Sequence, residues 1–137
     1  MEAIDKITER KATISIVGMG YVGLPLATAF AEAGFRVFGI EVEKSRVKAI
    51  NSGVSYIQDV SSTKLESVTL NGDQSGKLSA TTSYDSIANS DAIIICVPTP
   101  LSKTKGPDLS YVLSASDQIA KRLKLHTLVV LESTTYP

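Results

Sequence analysis

A glycine-rich turn between an apolar segment and a helical segment constrains the fold of this chain most strongly. The turn is GMGYVG, residues 18–23, and it follows the apolar segment at residues 13–17. A helix is predicted over residues 21–33, because alanine recurs through it and Gly34 can end it. A GxGxxG pattern between a strand and a helix is typical of a dinucleotide-binding site, whereas the glycines alone would be weak support.

Each glycine of this turn has its own physical role. Gly18 permits the tight turn, and Gly20 lets a pyrophosphate approach the backbone closely. Gly23 lets the helix pack near the strand. The unpaired N–H groups of the first helical turn then face the anion. The alternative is a glycine turn without a ligand, and the flanking strand and helix argue against it.

Apolar runs alternate with helical patterns along the chain, which indicates a parallel sheet with crossover helices. Further strands are predicted at residues 36–40, 78–82, 92–97 and 127–131, and further helices at residues 43–52, 63–68 and 109–123. We therefore predict an α/β fold, a Rossmann-type doubly wound parallel sheet with helices on both faces. A complete unit has six strands in the order 3-2-1-4-5-6. We accordingly expect one incomplete domain, residues 1–137, truncated after its fifth strand.

An acidic residue at the end of the second predicted strand is a candidate ribose ligand. Glu41 lies 18 residues after Gly23, where a carboxylate can accept hydrogen bonds from both ribose hydroxyls of an adenosine and repel a 2′-phosphate. This favours NAD over NADP. Arg46 and Lys44 leave the NADP alternative open, because a nearby cation can instead hold the 2′-phosphate. Glu41 could also be a solvated acid at a strand end.

Composition excludes several classes of partner. Lysine plus arginine equals aspartate plus glutamate at 14 each, so no basic excess favours nucleic acid. No apolar run approaches the roughly 18 residues of a membrane-spanning helix. Residues 1–11 lack the apolar block of a signal peptide, and Cys96 is the only cysteine. We therefore expect a cytoplasmic protein without a nucleic-acid or membrane partner.

Motifs in the right order over nearly the whole chain identify a family resemblance. They are GMGYVGLP at 18–25, INSG at 50–53, CVPTPL at 96–101 and STTYP at 133–137. The chain resembles the UDP-glucose/GDP-mannose 6-dehydrogenases. The segments that resemble the bacterial branch acting on UDP-N-acetylhexosamines are PTPLSK at 98–103, PDLSYV at 107–112 and LESTTYP at 131–137.

The resemblance implies an NAD-dependent enzyme that oxidises C6 of a nucleotide-linked sugar from alcohol to carboxylate, reducing two NAD⁺. It implies that the glycine turn holds the NAD pyrophosphate, with backbone amides from Tyr21 and Val22. Glu41 stands where the family usually has Asp, so its ribose contact is expected with a changed geometry. Arg46 stands where the family usually has a lysine that reaches the adenosine ribose.

Three more residues acquire roles through the resemblance. Pro98 and Thr99, after the fourth predicted strand, match cofactor contacts. Thr135 matches a threonine at the cofactor that helps to position the catalytic water near the nicotinamide. Both threonines follow central strands, where ligands sit in open α/β sheets, although loop hydroxyls also cap nearby backbone.

The resemblance also implies what this chain lacks. The family's cysteine nucleophile, its catalytic lysine and aspartate, its central helix and its UDP-sugar domain would lie beyond Pro137. Cys96 is not a candidate nucleophile, because a cysteine inside an apolar strand is usually buried and inert. We expect no metal site, a homo-oligomeric full-length protein, and no turnover by these residues alone.

The sequence is also compatible with other functions. Within enzymes, the alternative is a UDP-glucose 6-dehydrogenase. A second alternative is a non-catalytic dinucleotide-binding module, which would have no reason to keep Thr99 and Thr135 at the rim of the site. A third is an adenosylmethionine-binding protein that uses the same glycine turn.

Overall fold

A parallel five-stranded sheet organises the chain. The computed structural model describes residues 2–69, 77–104 and 106–132. The strands are β1 Thr13–Val17, β2 Arg36–Ile40, β3 Leu78–Thr81, β4 Ala92–Ile95 and β5 Leu128–Leu131. The α-helices are α1 Ala3–Thr8, α2 Gly23–Glu32, α3 Lys44–Asn51, α4 Ser62–Val68 and α5 Ser110–Ala120, with a 3-10 helix at Asp85–Asn89.

The strand order confirms the predicted topology. Neighbouring strands lie in the order β3-β2-β1-β4-β5, and every pairing is parallel. At the centre, Ile16 of β1 is in register with Gly39 of β2 and Ile94 of β4. The order reverses between β1 and β4, so the carboxyl ends of these strands border the crevice in which such sheets bind ligands.

Apolar side chains fill both faces of the sheet. On one face, Ile14 and Ile16 of β1 pack with Leu24 and Ala27 of α2 and with Leu65 of α4. On the other face, alternate residues of the same strands form a smaller cluster with α5 and the 3-10 helix. Its buried members are Val17, Ile40, Ile87, Ile93, Ile95, Ala115 and Ile119. The predicted helices on both faces are thus confirmed.

Several boundaries differ from the prediction. Helix α2 begins at Gly23 rather than at Tyr21, because residues 21 and 22 form the turn that leads into it. Strand β4 ends at Ile95 rather than at residue 97. Helix α1 and the 3-10 helix were not predicted. Of the helices in the described ranges, none is long and apolar enough to cross a membrane.

Candidate cofactor site

A cleft lies at the carboxyl ends of β1, β2 and β4. Its volume is about 570 Å³. It is lined by the glycine turn at residues 18–22, by residues 40–43 at the end of β2 and just beyond it, and by residues 96–99 after β4. Helix α5 contributes Tyr111 and Ser114 to the lining. The sequence-predicted residues Gly18, Gly20, Tyr21, Val22, Glu41, Arg46, Pro98 and Thr99 all line this cleft.

The three glycines of the turn meet different steric demands. Gly18 has a φ of +94°, and a Cβ there would lie 2.8 Å from the carbonyl oxygen of Cys96. At Gly23 a Cβ would lie 1.8 Å from the carbonyl oxygen of Gly18, so only glycine allows α2 to start this close to β1. Gly20 differs, because a Cβ there would have only Arg46 Nη1 nearby, at 3.9 Å. Its missing side chain leaves open a cradle that a pyrophosphate can fill.

The start of α2 is arranged for an anion. Within the described residues, no hydrogen bond uses the backbone N–H groups of Gly20, Tyr21 or Val22. The first turn of α2 holds no acidic residue, and no side chain caps it. An uncapped N-terminus carries partial positive charge and free donors. The geometry therefore fits the pyrophosphate of a dinucleotide.

Glu41 is buried at the wall of the cleft. Its side chain is 7 % exposed. One carboxylate oxygen accepts the N–H of Met19 at 3.1 Å, and the other accepts the N–H of Glu43 at 2.9 Å. The acid predicted to bind ribose therefore also fixes the glycine turn to the end of β2. A solvated strand-end acid does not describe this geometry.

Arg46 is surrounded by carboxylates. Its Nη1 lies 3.5 Å from Glu41 Oε1, and its Nε lies 3.0 Å from Glu43 Oε2. Its guanidinium also sits over the ring of Tyr56, with 5.2 Å between its Cζ and the ring centroid. Both ion pairs oppose its capture by a 2′-phosphate, which would have to approach Glu41 and Glu43 as well.

Tyr56 is a component of this region that the sequence did not indicate. Its hydroxyl donates a hydrogen bond to the carbonyl oxygen of Met19, inside the glycine turn. It lies between α3 and α4. The sequence around it, residues 54–77, has turn signals but little hydrophobic periodicity. No pattern in that segment connects it with the turn, 37 residues earlier.

The remaining predicted residues are placed as follows. Pro98 and Thr99 follow β4 at the rim of the cleft. Thr135 lies outside the described residues. Cys96 is buried beneath the turn, and burial, with Glu132 nearby, raises the pKa of its thiol to about 11. It is therefore a neutral thiol at neutral pH. The described residues contain no cluster of three histidine, cysteine, aspartate or glutamate side chains that could hold a metal.

Comparison with known proteins gives a match to a family model and matches to individual relatives. The model of the UDP-glucose/GDP-mannose dehydrogenase family, NAD binding domain, matches residues 12–137. UDP-N-acetyl-D-mannosamine dehydrogenase of Escherichia coli (strain K12) is 41% identical over 124 residues, which are 90% of this chain and 28% of that protein. NDP-N-acetyl-D-galactosaminuronic acid dehydrogenase of Ralstonia nicotianae is 42% identical over 123 residues, with the same coverage of 90% and 28%.

A solved structure agrees with these sequence matches. UDP-D-ManNAc dehydrogenase from Pyrococcus horikoshii superposes with a TM-score of 0.80 at 38% identity, over 89% of this chain and 28% of that one. The chain thus spans a little over a quarter of the length of the curated relatives it matches.

Proposed function

We propose a function on the premise that this chain belongs to the UDP-glucose/GDP-mannose dehydrogenase family, as its NAD-binding domain. The resemblance predicted from the sequence is confirmed, and NAD is the cofactor of this domain. The complete protein, in our proposal, oxidises C6 of a UDP-N-acetylhexosamine to the uronic acid with two NAD⁺. Relatives whose names contain N-acetylmannosamine and N-acetylgalactosaminuronic acid support an N-acetylhexosamine rather than glucose as the sugar.

The observation that carries the proposal is the open cradle at Gly20. A backbone position without a Cβ faces the cleft, beside the free N–H groups of Tyr21 and Val22 at the uncapped start of α2. An anion there gains several donors and the favourable end of the helix dipole. When bound, NAD supplies the hydride acceptor. This chain's own contribution is to bind and orient it.

The ribose end of the cofactor belongs at Glu41. Each carboxylate oxygen already accepts one backbone N–H, and each retains a lone pair for a hydroxyl. Glu43 adds a second negative charge beside Arg46. A 2′-phosphate would meet both carboxylates, which is why we propose that the site prefers NAD to NADP.

The nicotinamide end extends toward the rim formed after β4. Pro98 and Thr99 would contact the cofactor there, and Thr135 would help to position the catalytic water. These roles rest on the family resemblance and on the position of the rim at the carboxyl end of the sheet. We further propose that the full-length protein is a homo-oligomer and cytoplasmic, which light scattering and cell fractionation would test.

Gly20→Ala tests whether the turn holds the pyrophosphate. The added methyl group meets open space in the chain, so the variant should melt like the wild type, yet it would occupy the cradle. We expect NAD affinity to fall by at least about tenfold, roughly 1.4 kcal/mol. Gly106→Ala is the matched control, since a Cβ there lies 4.0 Å from its nearest neighbour, away from the cleft. Unchanged NAD binding by Gly20→Ala in calorimetry would place the cofactor elsewhere.

A further inference from the structure

The backbone of Met19 is held from two directions. Its N–H donates to the buried carboxylate of Glu41, and its carbonyl oxygen accepts from the hydroxyl of Tyr56. Its side chain is fully buried against Gly39, where a Cβ would lie 2.6 Å from Met19 Cε. Met19 is thus an anchor point between the first two glycines of the turn.

The contact with Tyr56 has a consequence for the neighbouring amide. A peptide unit is planar and trans, so the carbonyl of Met19 and the N–H of Gly20 belong to one plane and point in opposite directions. Holding the carbonyl oxygen with Tyr56 therefore fixes the direction of the Gly20 N–H. That N–H has no hydrogen-bond acceptor among the described residues, and it adjoins the open cradle.

We propose that Tyr56 is a positioning residue for the pyrophosphate-binding turn: its hydroxyl orients the Met19–Gly20 peptide so that the Gly20 N–H faces the cofactor. The proposal rests on the function proposed above, because it presumes that a dinucleotide pyrophosphate occupies the cradle. Tyr56 itself does not line the cleft. It acts through the backbone.

The surroundings of Tyr56 favour its role in orienting the Met19–Gly20 peptide. Burial and the carboxylate of Glu41 raise the pKa of its hydroxyl well above the usual value, so the group remains a donor at physiological pH. The ring packs against the larger core cluster, and the guanidinium of Arg46 lies over it. A cation over an aromatic face is attracted to it, so the ring also helps to hold Arg46 beside Glu41.

A purely structural role makes a different prediction. If the hydroxyl only stabilised the fold, its removal would weaken all parts of the cofactor site together. If it orients one peptide, its removal should weaken ligands that contain the pyrophosphate and leave ligands that lack it unaffected. NAD and ADP carry the pyrophosphate, whereas adenosine carries only the base and the ribose that we assign to Glu41.

The experiment compares Tyr56→Phe with the wild-type chain. Phenylalanine keeps the ring in the core and beneath Arg46 and removes only the hydroxyl. Ser55→Ala is the matched control, because among the described residues the Ser55 hydroxyl bonds only within its own segment, to Ile57 at 2.9 and 3.2 Å. Dissociation constants for NAD and ADP are measured by calorimetry and that for adenosine by NMR titration, and melting temperatures are recorded for every variant.

We expect Tyr56→Phe to bind NAD and ADP about fivefold more weakly, the usual size of one lost hydrogen bond. Adenosine binding should be unchanged, and Ser55→Ala should bind all three ligands like the wild type. Unchanged NAD binding by Tyr56→Phe, or equal losses for NAD and adenosine, would overturn the positioning role. A wild-type chain that binds no NAD would instead overturn the proposed function itself, so the two failures are distinguishable.

Discussion

Replacing Glu41 by glutamine should damage both the fold and the cofactor site. The two carboxylate oxygens accept the N–H groups of Met19 and Glu43 at 3.1 and 2.9 Å, and one of them lies 3.5 Å from Arg46. A glutamine side chain offers one acceptor and one donor. One backbone N–H would therefore lose its partner and face another donor inside a buried site.

The expected loss in free energy of unfolding follows from these contacts. A hydrogen bond to a charged group contributes about 1.5–3 kcal/mol, and leaving a buried donor unpaired costs about as much as the bond itself. The pair with Arg46 adds little, because Arg46 is partly exposed to solvent. We expect Glu41→Gln to lower the free energy of unfolding by about 2–3 kcal/mol. For a chain of this length, that lowers the melting temperature by roughly 10 °C.

Glu43→Gln supplies the matched control. It removes the same charge from the same segment and from the same arginine, at an Nε–Oε2 distance of 3.0 Å. The side chain of Glu43 is 60 % exposed, however, and within the described residues no backbone N–H donates to its carboxylate. Exposed ion pairs contribute about 0–1 kcal/mol, so its melting temperature should change little. Thermal unfolding followed by circular dichroism measures both. Equal shifts for the two variants would refute the assignment of Glu41 as the residue that holds the turn.

Two further predictions concern groups outside the glycine turn. Burial alone would raise the pKa of Asp91, but the Thr13 N–H and the Lys6 ammonium together hold that pKa below its usual value in the folded chain. The stability that the ionised Asp91 carboxylate adds is fully present above its unfolded-state pKa and is lost as pH falls through its folded-state pKa. In urea unfolding, the free-energy advantage of the wild type over Asp91→Asn should therefore shrink below about pH 4. A free-energy difference that stays constant with pH would contradict this. Cys96, buried and with a pKa raised to about 11, should react with iodoacetamide at neutral pH only on unfolding, as mass spectrometry can follow; rapid labelling of the native chain would contradict it.

The parts of the fold and site that local chemistry determines were predictable from the sequence. The sheet order follows from alternating apolar runs and crossover helices. The glycine turn and Glu41 lie where a strand meets a helix and where β2 ends, so their positions can be read from residue type and spacing. Helix α1 was missed because six residues give too short a pattern to distinguish from a terminal segment.

Long-range side-chain contacts were not predictable in the same way. Tyr56 reaches Met19 across 37 residues of chain, and only the packing of α3 and α4 against the sheet brings them together. The turn-holding role of Glu41 depends on the direction of its side chain rather than on its place at a strand end. The spacing predicted a ribose ligand, and the hydrogen bonds from the N–H groups of Met19 and Glu43 show that the carboxylate also holds the glycine turn.

The most direct test of the central claim is calorimetric titration of this chain with NAD, NADP and adenosylmethionine. We predict one NAD site per chain, since the cradle at Gly20 takes one pyrophosphate. NADP should bind roughly thirtyfold more weakly, because Glu41 and Glu43 each oppose its 2′-phosphate by about 1 kcal/mol even at the dielectric constant of water. Adenosylmethionine, which carries the adenosine but lacks a pyrophosphate, should bind much more weakly than NAD. Binding of adenosylmethionine without NAD, or of NADP as tightly as NAD, would contradict the account.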